Sequence, residues 1–246
     1  MNKILILIIA TMTAVVSCGR NYNTAGMTRL ELEDLADEVY LNEDYTDASR
    51  LYTELMFTYP GSPSMDFYLY RLGMSEAENH YWADALFYFE RVESQYARGQ
   101  WSDDCSYQSA RVWWEQRHDY RKDLTPVLNC RDELQHFFDS YPGSSLLPDA
   151  VELQEKVSDY LARRALFIGR FYARREKYDA SLLYLREALN DYGETECRGD
   201  VLVALGDVYA SRGNEYTARE FYQRALDEGT FSPEEMLDVQ TKLDEL

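Results

Sequence analysis

Three histidines, four cysteines and 44 carboxylates are the groups with which this chain of 246 residues could do chemistry. Their spacing points away from catalysis. His80, His118 and His136 are far apart, and no H-E-x-x-H, nucleophile elbow, P-loop or dinucleotide-type glycine pattern accompanies them. Carboxylates recur four apart, as in Glu33 with Asp37 and Glu234 with Asp238, but in so acidic a chain that spacing describes a solvated helix face. Leu41-Asn42-Glu43-Asp44 lacks the ligand spacing of a calcium loop. Cys105, Cys130 and Cys197 are odd in number and without C-x-x-C spacing, so they read as small apolar residues packed between helices. The expectation is a protein that is not an enzyme and uses no metal or cofactor.

The elements that would position any such groups follow from composition. Asp and Glu outnumber Lys and Arg by 44 to 25, a formal charge of -19. Nucleic acid as a partner is excluded, because displacing counterions from phosphates needs a basic face. A polybasic attachment to anionic lipid is excluded on the same ground. With 46% hydrophobic residues the chain can bury a sizeable core, and only 12 Gly and 6 Pro favour long helices over a β-sandwich or barrel.

The fourth cysteine has a different setting. Lys3 and the apolar run from Ile4 to Val16 form a secretory signal over residues 1–17, too short to span a bilayer. Val15-Val16-Ser17-Cys18-Gly19 resembles the bacterial lipobox, which implies cleavage before Cys18 and acylation of its sulfur and new amino group. Three acyl chains exceed what stable anchoring requires. Gly19, where Asp would signal inner-membrane retention, favours the periplasmic face of the outer membrane. Residues 18–28 then form a lipid-anchored linker.

From residue 29 to 246 one pattern repeats. Leu202-x-x-Leu205-Gly206-x-x-Tyr209 followed by Ala218, Tyr222 and Ala225 matches the tetratricopeptide (TPR) unit, two antiparallel helices with small residues where they touch and large ones between. Counting from 199 as a start, equivalent starts fall near 29, 66, 103 and 162; the first three are 37 apart, as are the last two. Ser181 replaces the expected alanine in unit four. Unit three fits Cys130, Leu134 and Phe137 only after an eight-residue insertion, the polar stretch around Asp119 to Thr125. Leu146 to Ala162 carries helical periodicity, so the first helix of unit four is predicted to be long, with Pro148 in its first turn. Ser232-Pro233-Glu234-Glu235 opens a last helix that caps the stack over 232–246. The fold class is all-α, a TPR solenoid of about five repeats with a C-terminal cap, and most of the 21 tyrosines are its packing residues.

Charge segregation supplies the candidate binding residues. Glu31 to Glu54 holds nine acids against Arg50, a net -8, whereas Lys156 to Lys177 holds seven bases against two acids, a net +5. Arg163, Arg170 and Arg174 take first-helix positions that line the concave groove of TPR arrays. Two readings are open: they meet a partner, or their stems cover apolar surface and they pair internally with Glu152, Glu155 or Glu187. Phe67, Tyr70 and Met74 form an aromatic-rich strip on the first helix of unit two, suited to an extended peptide or to packing on unit one.

A lipobox followed by five such units resembles the BamD family, the TPR lipoproteins of the outer-membrane β-barrel assembly machinery. The resemblance is closest from Leu124 to Glu196, through Phe137-Phe138-Asp139-Ser140-Tyr141-Pro142-Gly143-Ser144, Gly169-x-Phe171-Tyr172 and Tyr178-Asp179-Ala180, and includes the unit-three insertion. Tyr192-Gly193 departs from the usual Tyr-Pro. The resemblance implies a non-enzymatic scaffold. Its N-terminal repeats would meet unfolded outer-membrane proteins, placing them near Phe67, Tyr70 and Met74. Its C-terminal repeats would hold the barrel subunit through a POTRA domain. The family's partner-holding arginine on the second helix of unit four aligns with Tyr184, with Arg186 two residues on. A lipid-anchored TPR adaptor for other envelope machinery, of the Tol-Pal type, is the alternative.

Overall fold

A computed structural model describes residues 22–246; the signal segment and Cys18 lie outside the described residues. Those residues form eleven α-helices: α1 (Arg29–Leu41), α2 (Tyr45–Thr58), α3 (Met65–Glu78), α4 (Trp82–Gln95), α5 (Ser102–Glu115), α6 (Thr125–Ser140), α7 (Leu147–Ala173), α8 (Tyr178–Asp191), α9 (Arg198–Ser211), α10 (Glu215–Glu228) and α11 (Pro233–Asp244). Each packs chiefly on its neighbours in sequence, as expected of a solenoid. The chain is an all-α TPR solenoid.

Glycine explains how close the two helices of a unit come. A Cβ on Gly206 would overlap the Tyr222 ring, and one on Gly73 would overlap Phe89. At Gly169 it would lie 2.6 Å from Leu185. Ser181, the departure in unit four, is fully buried, and its hydroxyl donates to the Gly169 carbonyl at 2.8 Å. The polar substitution is thus satisfied within the same close approach.

The turn between the helices of a unit also repeats. Glu43, His80, Glu176 and Gly213 occupy equivalent positions with φ of 62°, 62°, 58° and 74°. This left-handed conformation favours glycine, yet only unit five has one there. At the other end of the units, Tyr59, Tyr96, Tyr141 and Tyr192 are the C-caps of α2, α4, α6 and α8. Their rings pack against the apolar clusters, which accounts for part of the tyrosine content.

Caps fix the two ends of the stack. Thr28 and Glu31 form a capping box on α1, as Ser232 and Glu235 do on α11, with Pro233 in its first turn. α7 runs through 27 residues, also with a proline in its first turn. Its N-terminal half joins the cluster of α5 and α6 through Leu153, Val157 and Leu161. From Ala162 onward it joins the cluster of α8 and α9. One helix therefore fastens unit three to units four and five. Cys105, Cys130 and Cys197 are all buried and free, and burial pushes the Cys130 thiol up to about 12.

Candidate functional site

Two sets of candidate residues have contrasting surroundings. On α3, the Tyr70 ring stacks on Trp101 at 4.7 Å and is only 9% exposed; burial raises its hydroxyl to about 12. Phe67 lies 5.2 Å from Trp101 and meets Tyr52 edge-on at 6.2 Å. Met74 is half-buried against the same cluster. The Arg71 guanidinium sits 4.2 Å over Tyr40 and 5.1 Å over Phe67, and 3.8 Å from Asp37, which accepts the Tyr52 hydroxyl. Phe67, Tyr70 and Met74 are thus embedded in an aromatic cluster that joins α1 to α5. Trp101, the N-cap of α5, touches both Phe67 and Tyr70, and the repeat pattern gave it no distinction.

On α7 the arginines stand in the open. Arg163 bonds Asp159 one turn before it and reaches Glu196 at 2.9 Å in the α8–α9 loop. Arg170 pairs with Asp200 at 2.7 Å in the first turn of α9. The Arg174 guanidinium is exposed and makes no ion pair among the described residues. The internal partners expected from sequence, Glu152, Glu155 and Glu187, are therefore not the ones used. Glu152 pairs with Lys156 instead, and the arginines find Asp159 on the preceding turn of α7, with Glu196 and Asp200 on the α8–α9 loop and α9 that lie across the row. All three arginines line one cleft of about 330 Å³ together with Leu166, Phe167 and Tyr120.

Tyr120 belongs to the unit-three insertion, and sequence reasoning did not foresee what holds that loop. Tyr160 donates to the His118 carbonyl at 2.5 Å, and Arg164 donates to the carbonyls of Tyr120 and Lys122 at 2.5 and 3.0 Å. The Tyr120 ring meets Tyr160 and Phe167 edge-on at 6.3 and 6.0 Å. An irregular segment is thus laid on α7 through its backbone. An aromatic residue inside a polar insertion was the one available signal.

Tyr184 and Arg186 are elsewhere. Tyr184 stacks on Tyr172 at 5.7 Å, and Arg186 donates to the Tyr209 hydroxyl at 2.5 Å. Arg186 lines a separate cleft of about 670 Å³ with Asp179, Leu183 and Arg212, none of which touches the α7 row.

Stacked helix pairs, with open clefts along charged helix faces, define a TPR protein. The model of the family YfiO, described as outer membrane lipoprotein, matches residues 27–224, and the chain belongs to that family. It is 22% identical over 209 residues to the outer membrane protein assembly factor BamD of Pasteurella multocida, covering 81% of this chain and 80% of that one. It is also 22% identical over 179 residues to the BamD of Xylella fastidiosa strain 9a5c, covering 73% of this chain and 52% of the other; the chain thus spans about half the length of that relative. Among solved structures, a TPR repeats protein of Bacteroides fragilis has a TM-score of 0.48 at 11% identity, over 89% of this chain and 97% of the other. A thermophilic TPR protein of Thermus thermophilus has a TM-score of 0.39 at 17% identity, over 89% and 98%.

Proposed function

We propose that this protein is a non-catalytic scaffold, anchored by lipid at Cys18 to the periplasmic face of the outer membrane, and that it serves the assembly of β-barrel proteins there. The observation that carries this reading is the family match across residues 27–224, which spans the unit-three insertion as well as the generic repeats. Units four and five are the proposed seat of the POTRA-bearing barrel subunit. Support comes from the exposed arginines of α7 and from the cleft beside Arg186. Units one and two are the proposed station for unfolded outer-membrane proteins, through the rim of the aromatic cluster around Phe67, Tyr70 and Met74.

Affinity capture on the native lipoprotein tests the scaffold: a POTRA-domain barrel protein is the expected companion. Recovery of Tol-Pal components in its place would move the protein to other envelope machinery. The anchor has its own test, since Cys18→Ser should abolish incorporation of labelled palmitate. Normal labelling of that variant would remove the lipid from the proposal.

A further inference from the structure

A cleft of about 730 Å³ opens between α11, α9 and the C-terminal half of α7. Arg170 and Asp200 line both this cleft and the smaller one that holds Arg163 and Arg174. Their ion pair therefore lies on the border of both clefts, so an occupant of the two together must pass over or displace it. Taken together as one groove, the clefts are electrically two-ended. Towards α11 its wall carries Asp207, Glu234, Glu235 and Asp238 against Lys242, and Lys242 is already engaged by Asp207 at 2.8 Å. Towards the unit-three insertion it carries the arginine row. Its apolar lining includes Val203, one turn beyond Asp200 on α9, and Leu237 on α11, the latter 67% exposed.

We propose that this groove docks a segment of another protein whose charges are segregated along its length. Its carboxylates lie at the Arg163 and Arg174 end, its lysines or arginines at the α11 end, and an apolar side chain between them sits against Leu237 and Val203. The proposal rests on the scaffold reading for the premise that the protein's partners are proteins, and it adds the chemistry of the docked segment. Three observations support it. The Arg170–Asp200 pair is 44% and 54% exposed, so water already competes for it, and an incoming acid and base can exchange into it at little cost. The same helix already holds an irregular chain by its carbonyls, through Tyr160 and Arg164, immediately beside the smaller cleft. A uniformly charged occupant is opposed at one end or the other, which disfavours an anionic lipid surface and a wholly basic peptide alike.

The test uses the full lipoprotein in detergent and two fluorescent synthetic peptides of identical length and composition. One carries a glutamate block and a lysine block flanking a central leucine; the other alternates the same residues. Fluorescence anisotropy at low ionic strength should show the block peptide binding about tenfold more tightly, as expected of a few exposed pairs acting together. The preference should shrink in high salt. Combining Asp238→Lys with Arg174→Glu should erase it, and both residues are exposed, so thermal unfolding should confirm an intact fold. Equal binding of the two peptides, or a block preference that survives the double change, overturns the proposal. So does a dimer that the double change dissociates, since that would seat a second copy in the groove. Failure of the scaffold reading looks different: no POTRA-bearing subunit is captured, while the peptide preference stands.

Discussion

Units one and two bury their aromatic side chains in a single cluster that runs from α1 to α5, whereas units three to five divide their apolar residues among three smaller clusters strung along α7 and α9. The same first-helix face is used differently in the two regions. In unit two it presents Phe67, Tyr70 and Met74 to Trp101 and to unit one; in unit four it presents Arg163, Arg170 and Arg174 to solvent and to acids on α7, on α9 and in the loop between α8 and α9. Residues in the first region contribute packing, so changing them should affect stability before recognition. Residues in the second make contacts that water already weakens, so changing them should affect recognition before stability.

The largest effect should follow from breaking the N-terminal cluster. Tyr70→Ala removes the ring stacked on Trp101 and should cost about 3–5 kcal/mol. Urea unfolding monitored by tryptophan fluorescence would measure it, and a loss under about 1 kcal/mol would return Tyr70 to the list of surface residues. Next comes a change confined to the other end. Gly206→Leu forces side chain into the Tyr222 ring and should cost about 1–3 kcal/mol. Hydrogen exchange should then accelerate in α9 to α11 and leave α1 to α4 protected, because repeats couple mainly to neighbours.

A gain is expected at the turns. Glu176→Gly places glycine where φ is 58° and should stabilise by up to about 1 kcal/mol, the relief of strain being partly offset by a freer unfolded chain. Differential scanning calorimetry of this variant beside Glu43→Gly compares the same device in the two regions; the melting temperature should rise in both.

The smallest effect lies where unit two meets unit three. Glu93 on α4, facing His136 on α6 at 3.2 Å, has its carboxyl pushed up, chiefly by burial, with His136 opposing. A carboxyl whose folded value is raised binds its proton more readily in the folded state. Its charged form therefore weakens the fold as pH rises through that value, and the penalty is absent below the ordinary glutamate range. Glu93→Gln should slightly raise the melting temperature at neutral pH, with the gain fading as pH falls towards 4.5. A gain that grows on acidification would contradict this assignment.

What the sequence made legible follows from which interactions leave a residue-type signature. Gly73 with Phe89 and Gly206 with Tyr222 pair a missing side chain with a large one at fixed spacing, and such pairs define the repeat. The capping box at Ser232 is equally local, so both could be read directly. The long-range arginine partners could not. Sequence offered acids near in number, such as Glu152 and Glu187, while the fold supplies Glu196 and Asp200 from the loop and helix that cross α7. Carbonyl recognition left no signature either, because Arg164 and Tyr160 hold the backbone of His118, Tyr120 and Lys122 whatever side chains those residues carry. The left-handed turns at Glu43, His80 and Glu176 were hidden for the opposite reason, since the glycine that would announce them stands only at Gly213.

The central claim is that the α7 arginines serve a partner before the fold, whereas the α3 aromatics serve packing first and offer a partner only their rim. Arg170→Glu examines it most directly, with thermal stability and capture of the POTRA-domain barrel subunit measured on one preparation. The account predicts a stability change of only about 0–1 kcal/mol, as for an exposed pair, with capture reduced most at low salt. A clearly lower melting temperature with capture per folded molecule unchanged would show that the row is an internal staple, and would contradict it.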